Sequence, residues 1–163
     1  MRLNNDAVRG VLMYLGENLN YLDSYDEVPH QHETMVMGVI ASGAVTNYSE
    51  NETLFNTEQA IYATEQLIRE GYLQTASIKI IRGNIFFAQV SDITWKGQEL
   101  LKAIENPVIW NAVQKESKKR GVYALGVLSD IAKHISTAAL TDPNVIGNII
   151  QAIKTAGGIL PLS

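Results

Sequence analysis

The sequence, 163 residues long, predicts an α+β fold, and three observations carry that expectation. Between Thr57 and Glu70 apolar residues recur at helical spacing and stop at Gly71. Ile78, Ile80, Ile85, Phe87 and Val90 then fall in two β-branched or aromatic runs, parted by Arg82-Gly83-Asn84, a turn signal. From Trp95 the pattern returns to helices. Helix, strand, short turn, strand, helix is the back half of a winged helix-turn-helix domain with a two-stranded wing. That domain is expected over residues 1–121, with a helical C-terminal extension over 122–163 that serves as a self-association element.

Each element has a local cause. Asn5 or Asp6 caps a first helix running to about Asn18, with Val8, Val11, Leu12, Leu15 and Leu19 as its buried stripe. Asn20 to Glu33 is polar and acidic, and Pro29 interrupts regular structure there. Thr34 to Ala44 is apolar again. Its position suits the second helix of a helix-turn-helix, yet two glycines and several β-branched residues suit a strand nearly as well. Val45 to Asn56 reads as a polar loop. Thr57 then caps the next helix and Glu58 complements its dipole. Ala60, Ala63 and Leu67, with Ile61 and Ile68, form its apolar stripe, and Gly71 supplies a left-handed stop. Tyr72 and Leu73 are placed to fold back on the last turn.

Residues 78–93 are expected to form an antiparallel hairpin turning at Gly83. Asp92 or Thr94 caps a helix from Trp95 to Ile104. Asn106-Pro107 opens another, whose last turns carry Lys115, Lys118, Lys119 and Arg120 before Gly121 ends it. A further helix spans about Leu125 to Leu140, and Asp142-Pro143 opens a last one that Gly157-Gly158 stops.

Three segments resemble a known family. LIREGYL before the hairpin and DITWKGQELLKAIENPVIW after it are similar to a bacterial and prophage family, domain-of-unknown-function family twenty-five-thirteen. RLNNDAVRGVLMYL resembles its N-terminal helix. The Thr-Trp-x-Gly-x-Glu segment from Thr94 to Glu99, with Trp110 downstream, is the most specific part. The resemblance implies a winged-helix-like fold and no known chemistry, in a phage or mobile-element setting. The chain departs from the family pattern in a longer segment between the first helix and Thr57.

Composition narrows the function classes. Apolar residues make up 46% of the chain, enough for a sizeable core. With no cysteine, disulfides and thiolate chemistry are excluded, and a reducing cytoplasm fits. Asn4, Asn5 and Asp6 stand where a signal peptide needs an apolar run, and no stretch reaches the roughly 18 apolar residues of a membrane span. The net charge of −4 opposes non-specific nucleic-acid binding by the whole surface.

No catalytic constellation, metal site or cofactor motif stands out. His30, His32 and Glu33 lack a further ligand at defined spacing, and a polar surface loop is the simpler reading. Asp23, Asp26 and Glu27 lack the rigid placement that acid–base chemistry needs. The expectation is a binding protein rather than an enzyme, in the first place a DNA-binding regulator and alternatively a protein-interaction module. If the partner is double-stranded DNA, Gln59, Tyr62, Ala63, Gln66 and Arg69 form the base-reading face, and Lys79 and Arg82 on the wing approach phosphates. Glu58, Glu65 and Glu70 share that helix and repel phosphate, so a protein partner gripped by the same surface is the alternative reading. The apolar C-terminal stripes must be buried, either on the N-terminal helix or against a second copy, which gives a homodimer through residues 125–160.

Overall fold

The computed structural model describes residues 1–19, 34–121 and 124–141, which form an α+β structure of six helices and one three-stranded antiparallel sheet. The sequence segments 20–33, 122–123 and 142–163 lie outside it. So do the readings placed on them, namely His30, His32 and Glu33, the acidic trio Asp23, Asp26 and Glu27, and the last expected helix. The chain divides into two compact units, Met1–Leu101 and a second beginning at Lys102.

In the first unit the order is α1 (Asn5–Asn18), β1 (Met35–Val36), α2 (Met37–Tyr48), α3 (Thr57–Arg69), β2 (Leu73–Ile81), β3 (Asn84–Ile93) and the start of α4 (Trp95–Ile104). The cap of α1 is Asn4, whose side-chain oxygen accepts from the Ala7 amide at 3.1 Å, and neither Asn5 nor Asp6 takes that role. All five residues of the expected stripe are buried. The ambiguous segment after Thr34 resolves into both of its readings. Met35 and Val36 pair with Val90 and Gln89 of β3, and the chain then turns directly into α2.

The cap of α3 is Asn56 rather than Thr57. Asn56 accepts from the Gln59 amide at 2.9 Å and Gln59 accepts from the Asn56 amide at 3.0 Å, a reciprocal capping box. At the other end Gly71 has φ +80°, its amide donates to Ile68 and the Tyr72 amide donates to Leu67 at 2.8 Å. That is a Schellman closure, and it folds Tyr72 and Leu73 into the core. Ser49 joins α2 to the loop ahead of α3, with its hydroxyl donating to the Phe55 carbonyl and accepting from the Phe55 amide.

β2 and β3 pair antiparallel from Leu73↔Ile93 to Ile81↔Asn84, and the sheet order is β1-β3-β2. Arg82 and Gly83 alone form the loop, both at positive φ, as a two-residue hairpin turn demands. The core of this unit lies between α1, α2, α3 and the base of the sheet. Leu12, Leu15, Ile40, Phe55, Leu67, Tyr72 and Val90 are among its largest fully buried members.

On α1 and α2 two polar side chains feel that packing. Burial depresses the Arg9 guanidinium below its ordinary value, against the pull of Asp6. Burial, with a hydrogen bond to Glu17, pushes the Tyr48 phenol up from 10.0 to about 12. The fold thus favours the neutral phenol. That stabilisation is complete below the unfolded value of 10.0 and is lost as pH climbs to about 12. Across that window a Tyr48→Phe chain should lose less stability than the parent in denaturant titrations. Equal losses in the two proteins would exclude Tyr48 as the responsible group.

In the second unit Asn106 accepts from the amides of Val108 and Ile109 to start α5 (Pro107–Arg120), and Gly121, at φ +66°, ends it. Trp110, Val113 and Ser117 are its buried face. α6 (Leu125–Thr141) packs on α5 and buries Leu125, Leu128, Ile131, Ala132 and Ala139. The expected self-association segment is described only as far as Thr141.

Candidate interaction surface on α3 and the hairpin

The helical period decides which residues α3 can offer. Ala60, Ala63, Thr64 and Leu67 are fully buried and define its inner face. Ala63 therefore belongs to the core and not to the outward face expected of it, because it sits three residues after Ala60 and four before Leu67. The stripe is also narrower than expected, since Ile61 is 36% exposed. Opposite the core lie Glu58, Tyr62, Glu65 and Arg69, flanked by Ile61 and Gln66. Gln59 is committed to the capping box by both its backbone and its side chain. Tyr62 and Gln66 are half-buried, and Arg69 is exposed.

Arg69 is not an isolated cation. It pairs with Glu65 at 3.1 Å one turn earlier and donates to the Gly83 carbonyl at the hairpin loop. Glu65 in turn accepts from the Ile85 amide at 3.3 Å. These contacts tie the tip of the hairpin to the C-terminal half of α3. Helix and hairpin thus form one continuous surface, held in a fixed relation. Arg69, Gly83 and residue 85 come together there, whereas Lys79 lies exposed on the ribbon and Arg82 is exposed in the loop beside Gly83.

Beyond Thr75 the ribbon leaves the core progressively, and Ala88, opposite Ile78, is its last fully buried residue toward the tip. Ile78, Ile80, Ile81, Phe86 and Phe87 are 38–71% exposed, on both faces. Lys79 lies 5.7 Å from the centre of the Phe86 ring. The register shifts between Lys79 and Ile80, so that Ile80 faces Ile85 and Phe86 bulges outward. Simple alternation does not single out Phe86, because a bulge inserts one residue into the count. Trp95, at the start of α4, is 81% exposed.

Charge is distributed unevenly along the chain. Residues 1–101 carry 13 acidic and 6 basic side chains, a net of −7, and residues 102–163 carry 4 and 7, a net of +3. The surface of α3 and the hairpin thus belongs to the acidic unit. Among the described residues no group of three or more His, Asp or Glu is placed to hold a metal ion, and no helix is long and apolar enough to cross a membrane.

The sequence matches the family described as hypothetical protein (DUF2513) over residues 2–123. The chain belongs to that family. Neither the curated proteins nor the solved structures gave a match. The DUF2513 match spans all of α1 to α5, so the surface on α3 and the hairpin lies wholly within the family's extent.

Proposed function

We propose that the first unit is a winged-helix module that works by binding a protein partner through α3 and the hairpin. The order α1-β1-α2-α3-β2-β3, with β1 paired to β3, supports the winged-helix assignment. The observation that carries the protein reading is the apolar ribbon, Ile78 to Phe87, set beside an acidic helix face in a unit of net charge −7. Exposed apolar clusters gain free energy by leaving water, which a protein surface offers and a phosphate backbone does not. On α3 and at its end the acids Glu58 and Glu70 are exposed, and Arg69 is already paired.

Duplex DNA is the second reading, favoured by Lys79 and Arg82 on the hairpin, by Tyr62 on the outward face of α3 and by Gln66 beside it. Fluorescence anisotropy with a random duplex of about 30 base pairs, in roughly 50 mM salt, separates the two, because phosphate contacts are strongest there. The protein reading expects no binding at high micromolar concentration. Saturable binding that weakens steeply with salt, and that Arg82→Ala reduces on every sequence alike, would establish the DNA reading instead.

A further inference from the structure

The surface on α3 and the hairpin is split into two halves of opposite chemistry. Residues 73–91, which make up β2 and most of β3, contain two cations, Lys79 and Arg82, and no acid. Between Arg9 and Arg69 there is no Lys or Arg at all, and Glu50, Glu52 and Glu58 are exposed in the loop that feeds α3 and in its first turn. Each half also has an apolar part. The hairpin offers Ile80 at 56% and Phe86 at 71% exposure, and the α3 side offers Leu54 at 45% and Ile61 at 36%.

A hairpin cannot cover both ends of its own helix. The bonds from Arg69 to Gly83 and from Ile85 to Glu65 hold it against the C-terminal half of α3, and among the described residues the half around Glu58 and Ile61 stays open. We infer that the partner for this surface is a second copy of the chain, with the hairpin of each copy packed on the N-terminal half of the other's α3 about a two-fold axis. The inference rests on the protein-binding reading of the same surface.

Three physical points support it. A surface with one cationic-apolar half and one anionic-apolar half is complementary to itself when turned by 180°, which is the condition for an isologous pair. Lys79 and Arg82 of one copy then meet Glu52 and Glu58 of the other, and the same contact is made twice. Thirdly, the register shifts near Thr75 and Lys79 break the regular ladder of the hairpin, and breaks of this kind oppose edge-to-edge strand pairing. Packing of side chains on a helix is the mode left to the ribbon.

Sedimentation equilibrium on the full chain, from about 1 to 100 micromolar, tests the inference. The parent should form a dimer. Lys79→Glu with Arg82→Glu should weaken it at least about tenfold, and Glu52→Lys with Glu58→Lys should do the same, since close opposite charges become like ones twice over. All four changes together should restore the affinity to within about threefold, which a merely disruptive effect could not do. Phe86→Ser, an exposed change, should weaken the dimer by about tenfold or more at unchanged circular dichroism. A monomer at the highest concentration overturns the second-copy assignment and leaves the protein-binding reading standing. A dimer indifferent to both charge reversals, or one that the combined variant fails to restore, overturns it too. Salt-sensitive duplex binding overturns the reading beneath it.

Discussion

Replacing Tyr72 with alanine is expected to cost about 3–5 kcal/mol, as deletion of a buried aromatic does. Tyr72 is 1% exposed and heads the largest fully buried side chains. Its backbone also joins three elements. The amide closes α3 by donating to Leu67, and the carbonyl accepts from the Thr94 amide at 3.0 Å where α4 begins. Lys96 then reaches back across the same point, with its ammonium 4.3 Å from the centre of the Tyr72 ring and 2.9 Å from the Glu70 carbonyl. The ring is thus packed below and faced by a cation above. Stabilities of native domains are about 5–15 kcal/mol, so this single loss removes a large share. Urea unfolding should show a lower midpoint with the slope unchanged. Lys96→Ala, which removes the cation and its exposed bond to the Glu70 carbonyl but leaves the ring, should cost only about 1 kcal/mol. A Tyr72→Ala loss no larger than that of Lys96→Ala would mean that the ring is not part of the core.

The hairpin is legible in the sequence because two independent signals agree there. β-branched and aromatic residues mark both strands, and Arg82-Gly83 gives a loop short enough to fix the register. The ends of α3 are legible in kind but not in place. Thr57 and Asn56 are both good caps, and only the reciprocal bond with Gln59 decides for Asn56. That bond also engages the Gln59 side-chain oxygen, for a reason that outward position alone does not contain. Ala63 fits either face of the helix by sequence, since a small side chain carries too weak a preference to choose. Its neighbours Ala60 and Leu67 settle the choice by geometry. For β1 the sequence admits a strand within residues 34–44 but not its extent. Two residues have no period, and what makes Met35 and Val36 extended is their pairing with β3, distant in sequence. The tie between Arg69, Glu65 and the hairpin loop is equally out of reach. It depends on where Gly83 and residue 85 come to lie, which neither local propensity nor charge pattern encodes.

The Thr-Trp-x-Gly-x-Glu segment gains a physical reading at Gly97, and replacing that glycine with alanine is expected to cost about 3 kcal/mol, the upper end of overpacking. An added Cβ would collide with the Tyr72 carbonyl oxygen, and the Ile93 side chain closes off the same space. The obstruction is backbone, and that backbone is fixed from several sides. Thr94 donates through its amide to Tyr72 and through its hydroxyl to Gly71 at 2.7 Å, and the hydroxyl accepts from the Gly97 amide at 3.2 Å. The threonine therefore caps α4 and staples it to the end of α3 at once, while Gly97 gives the close approach that the staple requires. Moving the helix outward to admit a methyl would stretch these bonds together. A helical alanine is intrinsically favoured over glycine by about 1 kcal/mol, so the clash must exceed the net loss by that amount. Thermal and urea unfolding of Gly97→Ala, with Gly126→Ala on α6 as the control, reads the effect. At Gly126 a methyl would project into open space, and the replacement should be neutral or slightly stabilising. If both variants gain stability alike, then α4 does not approach Tyr72 this closely, and Thr94 is an ordinary cap.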